Sequence, residues 1–338
     1  RHALRFVGRR AANPPLGLLT LAGLLPRDWS YRLVDQNTAV LAEGDIRWAD
    51  YVLVSAMEIH RDAVGELVQR CRAAGKPLIG GGPMFHTETE DDHGVEHVVV
   101  GEAEELAEEL VADMRDGAVK PLYQAPGFPD LSLTPLPRWD LVDLRHYATM
   151  SVQSCRGCPF DCEFCDVVAL NGRKPRYKAP DRFVAELETL RRLGWQGAVF
   201  VVDDNFIGDR ARCRELLQAV IAWRRRTGAR MTFLTEASVN MAADPGLLEL
   251  MVEAGFKKVF LGLETPSAES LRECNKLQNL RGDLCQEVRK IQAAGIEVMG
   301  GFIVGFDSDQ PDIFQRQFDF IQKTGVVTAM VGLLQALP

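Results

Sequence analysis

The chain has 338 residues, 46% of them apolar and 25% charged, which is the composition of an ordinary globular protein with room for two cores. Its 47 acidic side chains outnumber 39 basic ones, and a net charge of −8 argues against a dedicated nucleic-acid binder, which needs a basic face for phosphates. The longest uncharged stretch near the start, 16 residues between Arg10 and Arg27, contains Pro14, Pro15 and Gly17 and is too short to span a bilayer; no signal peptide is legible either.

Residues 1–120 alternate short apolar runs with helical periodicity. Tyr31–Asp35, Tyr51–Ser55, Pro77–Ile79 and His97–Val100 read as buried strands, and Asp62–Ala74 and Glu102–Arg115 as helices stopped by Gly75 and Gly117. The pattern predicts an α/β domain, a flavodoxin-like (Rossmann-type) parallel sheet with helices on both faces. Residues 121–150 hold five of the 17 prolines and little periodicity, so a linker is expected there. From 151 onward a glycine closes each helix and a β-branched or aromatic run follows. Behind Ser151–Ser154 come Ala198–Val202, Met231–Thr235, Val259–Leu263, Val298–Val304 and Val326–Leu334. Asp244-Pro245 reads as an N-cap and first helical residue. Six β/α units, where eight would close a TIM barrel, predict a partial (β/α)6 barrel over 151–338. A chain that opens on Arg1 and closes just after the sixth strand is expected to lack pieces at both ends.

Four of the eight cysteines, Cys155, Cys158, Cys162 and Cys165, fall within eleven residues, and the rest are scattered. In a chain of this size that pattern indicates a metal site in a reducing, cytoplasmic setting rather than a disulfide framework. Thiolates at 158, 162 and 165 on one loop can hold three irons of a cubane cluster and leave the fourth iron open. A zinc ribbon needs its two knuckles about 15–20 residues apart, and here they are too close for that. Cys155 reads as a strand-end residue packed inward; as a fourth ligand it would close the cluster and make the chain an electron carrier.

Cys158-Pro-Phe-Asp-Cys162-Glu-Phe-Cys165 after the first barrel strand resembles the signature of the radical S-adenosylmethionine (SAM) superfamily. The wider stretch Arg156–Asp166 with Gly172–Lys178 resembles the cobalamin-binding branch. So do Val202–Gly208, Thr235–Ser238, Gly262–Pro266 and Gly300–Asp307, and the group most similar is the one with the hopanoid C-2 methylases. The resemblance implies a [4Fe–4S] cluster, SAM and cobalamin as cofactors, and Cys158, Cys162 and Cys165 as iron ligands. In the implied chemistry SAM yields a 5′-deoxyadenosyl radical, the radical takes hydrogen from an unactivated carbon, and cobalamin carries the methyl group to it. The same cofactors also serve oxidation or cyclisation without methylation. A reducing partner such as a flavodoxin or ferredoxin is implied, as is a small-molecule or lipid substrate that can draw the enzyme to a membrane surface.

Barrel chemistry sits at the C-terminal ends of the strands. The resemblance implies that Asp203 or Asp204 meets the SAM ammonium group, that Glu236 and Glu264 face ribose or ammonium, and that Gly301 to Gly305 line adenine. It also implies a Phe164 backbone contact to adenine, with the ring packed around the cluster. Arg176 or Lys178 would pair with the SAM carboxylate, or else belong to a solvated basic loop. Each carboxylate has a rival reading as a helix N-cap, Asp204 above all. In the first domain the implied cobalamin contacts are Ser55, Gly80, Gly81, Gly82, Gly101 and Glu102; ordinary strand-to-helix turns are the alternative. The axial motif Asp-x-His-x-x-Gly is absent: Asp91-Asp-His93 lacks the glycine and follows the wrong strand, and His2 lacks the surrounding pattern.

Overall fold

The computed structural model describes residues 3–85 and 94–335, so His2 and Asp91–His93 lie outside the described residues. The chain divides into two compact units, Arg1–Thr149 and Met150–Pro338. In the first, strands β1 (Val52–Ser55), β2 (Leu78–Gly81), β3 (His97–Val100) and β4 (Leu122–Gln124) form a parallel sheet in that order. Helices α1 (Leu16–Leu24), α2 (Glu43–Trp48), α3 (Arg61–Ala74) and α4 (Ala107–Asp116) complete it. Ile46 of α2 and Val64, Leu67, Val68 and Cys71 of α3 pack with Leu78, Val98 and Val100 on one face. Leu110 and Met114 of α4 pack with Ile79, Val99 and Tyr123 on the other. The expected two-sided parallel sheet follows from that alternation along each strand.

Two expectations for this unit change. Tyr31–Asp35 is irregular, not a strand. Strand β1 is the sheet edge on that side, but the run does not pair with it; it lines a cavity of about 1160 Å3 with Leu18, Leu21, Val54 and Leu67 instead. Residues 121–149 are no linker. They supply β4, and they bury Leu131, Trp139 and Tyr147 to 1% exposure each. Their backbone is tied by Ala148 N to Ala11 O at 3.0 Å, Thr149 N to Ala12 O at 2.9 Å and Arg138 N to Leu19 O at 3.0 Å. Tyr147 Oη donates to Asp35 at 3.0 Å. The prolines leave short 3-10 turns at Leu131–Leu133, Trp139–Leu141 and Leu144–His146 in place of an α-helix, but they do not prevent burial.

The second unit opens on β5 (Met150–Val152), followed by a short antiparallel pair, β6 (Cys155–Arg156) and β7 (Arg176–Tyr177), with helix α5 (Val167–Asn171) between them. Then helices and strands alternate as α6 (Pro180–Arg192), β8 (Ala198–Val201), α7 (Arg210–Thr227), β9 (Thr232–Ala237), α8 (Pro245–Ala254) and β10 (Phe256–Glu264). The series closes with α9 (Ala268–Glu273), α10 (Leu284–Ala293), β11 (Glu297–Val304), α11 (Ile313–Thr324) and β12 (Thr328–Leu333). Six strands pair in parallel in the order β12-β11-β10-β9-β8-β5, an open partial barrel with all six expected strands in place. Asp244 caps α8 by accepting from Leu247 N, with Pro245 in the first turn. Burial alternates along β9: Phe233, Thr235 and Ala237 are covered, while Thr232, Leu234 and Glu236 share the less covered face. No helix among the described residues is long and apolar enough to cross a membrane.

The placement of Trp139 gives a test of the first unit. Trp139→Ala should lower its stability by about 3–5 kcal/mol in a denaturant titration, the cost of emptying a large core site. A linker residue would change stability by less than about 0.5 kcal/mol.

Candidate active site

The cysteine loop is closed at its base by the β6–β7 ladder, which pairs Cys155 with Tyr177 and Arg156 with Arg176. Behind β6, the carboxylate of Asp203 accepts from Ser154 N at 2.7 Å and Cys155 N at 3.0 Å through one oxygen, and from Ser154 Oγ through the other. Burial pushes its carboxyl up to about 7 against the pull of those donors. Asp204 accepts from Gly157 N at 2.7 Å and from Asn171 Nδ2 at 3.0 Å. Gly157 sits at φ 96°, and an added Cβ would lie 2.8 Å from Lys174 O and 2.9 Å from Gly172 O, so only glycine fits this crossing. The two aspartates after β8 thus hold the loop that carries the thiols.

The loop separates its cysteines. Cys155 is fully buried; burial and then Asp203 raise its thiol, and it meets Tyr177. Cys158, Cys162 and Cys165 are partly exposed. Burial raises the thiols of Cys158 and Cys165, and the neighbouring Cys162 raises both further, although among the described residues no three His, Cys, Asp or Glu side chains stand close enough to hold a single metal ion. Gln278 Nε2 lies 3.5 Å from Cys162 Sγ, and Asn205 Nδ2 lies 3.9 Å from Cys158 Sγ. Three thiols with amide donors beside them fit an anionic iron–sulfur cluster, whose sulfurs accept such hydrogen bonds.

Several site expectations change. Lys178 is 4% exposed and paired with the buried Glu186, so it has no reach to a ligand carboxylate. Arg176 Nη2 donates to Asn171 O at 3.1 Å inside the loop's own frame. Asp203 accepts from Ser154 and Cys155 and Asp204 from Gly157 and Asn171, and the N-cap of α7 is Asp209, not Asp204. Glu264 is 5% exposed and bonded to Lys276 Nζ at 2.6 Å. Of the four carboxylates, Glu236 is the one whose side chain takes no hydrogen bond among the described residues; burial and then Asp204 raise its carboxyl. Phe164 packs edge-on to Phe306 at 6.4 Å between centroids and lies under Lys276 Nζ.

The strand-end glycines have packing reasons of their own. A Cβ on Gly301 would come 2.7 Å from the Phe260 ring, and Gly305, at φ 106°, donates its N–H to Asp309. In the first unit a Cβ on Gly80 would meet Phe85 at 2.8 Å, on Gly82 the Ser55 hydroxyl at 2.7 Å, and on Gly101 Ala125 at 2.8 Å. Gly81 pairs with Ser55 across the β1–β2 ladder, and Glu102 starts the turn into α4 at 9% exposure. Sequence reading missed Lys276 and Gln278. They lie more than a hundred residues beyond the cysteines in no recognisable motif, and only the fold brings them back.

Removing Asp203 separates its two readings. Asp203→Ala strands two buried backbone N–H groups, at about 1–3 kcal/mol each, and should reduce the iron bound. Asp203→Asn keeps an acceptor, so it should bind SAM with nearly unchanged affinity once loaded with iron; calorimetric titration of SAM checks this.

A family model for the radical SAM superfamily matches residues 152–321. An uncharacterised methyltransferase of Synechocystis sp. is 42% identical over 99% of this chain, and the hopanoid C-2 methylase of Rhodopseudomonas palustris is 36% identical over 97%. The chain spans 63% of the length of each of these relatives. The cobalamin-dependent SAM radical enzyme OxsB, solved with aqua-cobalamin and SAM bound, superposes with a TM-score of 0.76 at 15% identity, covering 96% of this chain and 52% of that one. The cysteine loop, the open barrel behind it and these matches lead to one conclusion: the chain belongs to the radical SAM superfamily and has the fold of its cobalamin-dependent enzymes.

Proposed function

We propose that the protein is a cobalamin-dependent radical SAM methyltransferase that methylates an unactivated carbon of a lipid or related small molecule. The observation that carries the radical SAM part is the cysteine set: Cys158, Cys162 and Cys165 partly exposed on one loop, with Cys155 buried in the core. Those three would hold the [4Fe–4S] cluster and leave one iron for SAM. When bound, the cluster, SAM and cobalamin supply an electron, a radical and a methyl group. The protein's part is placement: Asp203 and Asp204 fix the loop, and Asn205 and Gln278 donate toward its sulfurs. Glu236 takes the ammonium or ribose side of SAM, since the other three carboxylates already serve protein partners. The methyl-transfer part is supported by the methyltransferase relatives, and the cobalamin part by the Rossmann-type first unit and the OxsB fold. A hopanoid-like substrate is the finer reading, supported by the hopanoid C-2 methylase and, more distantly, by a hopanoid C-3 methylase 26% identical over 59% of this chain.

Three measurements test this. Cys158→Ala, Cys162→Ala and Cys165→Ala should each abolish the cluster absorbance and SAM cleavage, while Cys155→Ala keeps both; equal loss in all four would overturn the three-ligand assignment. Glu236→Gln should weaken SAM binding by roughly 10–150-fold, the equivalent of about 1.5–3 kcal/mol for a charge-assisted bond, with the cluster spectrum unchanged. For the reaction itself, the full-length protein with methyl-labelled SAM and a lipid extract should place label in a lipid product. SAM cleavage without label transfer would point to oxidation or cyclisation instead.

A further inference from the structure

The turn after α9 returns to the cysteine loop. Cys274 O accepts from Glu163 N at 3.0 Å, and Asn275 Nδ2 donates to Asp161 O at 2.9 Å, which clamps the turn to the loop. Between these contacts and Gln278 stands Lys276, its side chain 14% exposed. Its Nζ lies 5.5 Å from the Phe164 ring centroid, over the face of an aromatic ring set between two of the cysteines. Burial lowers the lysine's pKa, but the Glu264 carboxylate outweighs it and the pKa is raised.

The lysine is also fixed. Glu264 holds it at 2.6 Å, and Glu264 itself sits at φ 61° next to a bulge in β10, where the register with β11 shifts between Gly262 and Glu264. A non-glycine residue in that left-handed region is strained and persists only where its surroundings demand it. Gly262 clears the space: an added Cβ would lie 2.3 Å from Glu264 Oε1 and 2.7 Å from Lys276 Nζ. The Gly262-Leu-Glu264 motif is thus built around an ion pair whose cation lies over Phe164 of the cysteine loop.

We propose that Lys276, held by Glu264, raises the reduction potential of the cluster and so makes its one-electron reduction easier. The proposal rests on Cys158, Cys162 and Cys165 being the iron ligands. A cluster that accepts one electron from an external reductant gains one negative charge, and a fixed cation in a water-poor site stabilises that form. Glu264 opposes the effect in part, so the two residues should act with opposite signs.

The test is a reductive titration of the reconstituted protein with dithionite and mediators, followed by electron paramagnetic resonance. Lys276→Met should keep four irons and shift the midpoint to more negative potential, and Lys276→Arg should restore it toward the wild-type value. Glu264→Gln should shift it the other way, to less negative potential. A purely structural role would not reverse sign between the two partners. Unchanged midpoints in both variants at full iron content would overturn the proposal. Should Lys276→Met lose its iron, Glu264→Gln decides alone, and no upward shift there overturns it. Failure of the underlying ligand assignment reads differently: Cys158→Ala would then retain all its iron.

Discussion

Everything at the site depends on one arrangement, two adjacent carboxylates after β8 that accept from the backbone of the segment carrying the cysteines. Ser154, Cys155 and Gly157 each have an N–H that no strand partner takes, and Asp203 and Asp204 accept all three. A buried N–H left unpaired costs more than a hydrogen bond gains, so the loop is held mainly by the penalty for moving it. That explains why Asp203 is fully buried and tolerated there although burial disfavours its charge. The β6–β7 ladder then closes the loop's base, and the thiols have only a short span left in which to vary.

The opposite wall is built from β10 and the turn after α9. Asn279 donates to the carbonyls of Gly262 and Leu263 at 3.0 and 3.2 Å, so the turn that clamps the cysteine loop is itself anchored to a barrel strand. The ion pair Glu264–Lys276, with Phe164 beneath it, joins the two. Polar groups concentrated in a partly closed space need mutual satisfaction, and the result is a rigid frame in which few side chains remain uncommitted. Glu236 stands out for that reason.

The first unit shows how ambiguous a glycine-rich turn is when read alone. Gly80, Gly82 and Gly101 read equally well as room for a large cofactor or as tight packing, and the structure supplies a packing partner for each: Phe85, Ser55 and Ala125. The prolines of 121–149 misled in a similar way. Proline spacing reports the absence of an α-helix, whereas Trp139 and Tyr147 decide that the segment is core.

Much was legible in the sequence because it is local. The six barrel strands, the glycine helix stops and the separation of Cys155 from the other three cysteines follow from periodicity, from the φ that glycine permits and from spacing along one loop. The placement of Asp203, Asp204, Glu236 and Glu264 at strand ends was visible too. What each carboxylate faces was not. An acceptor at a strand end can take a backbone N–H, a lysine or a ligand with equal chemical ease. The choice belongs to whichever donor the fold delivers, here the loop of the first barrel strand for two of them and Lys276 for a third. Tyr31–Asp35 failed for a complementary reason, since an apolar run can be covered by lining a cavity as well as by joining a ladder. Sequence by itself determined which chemistry the residues could support; tertiary structure decided which of them were already spent on holding one another.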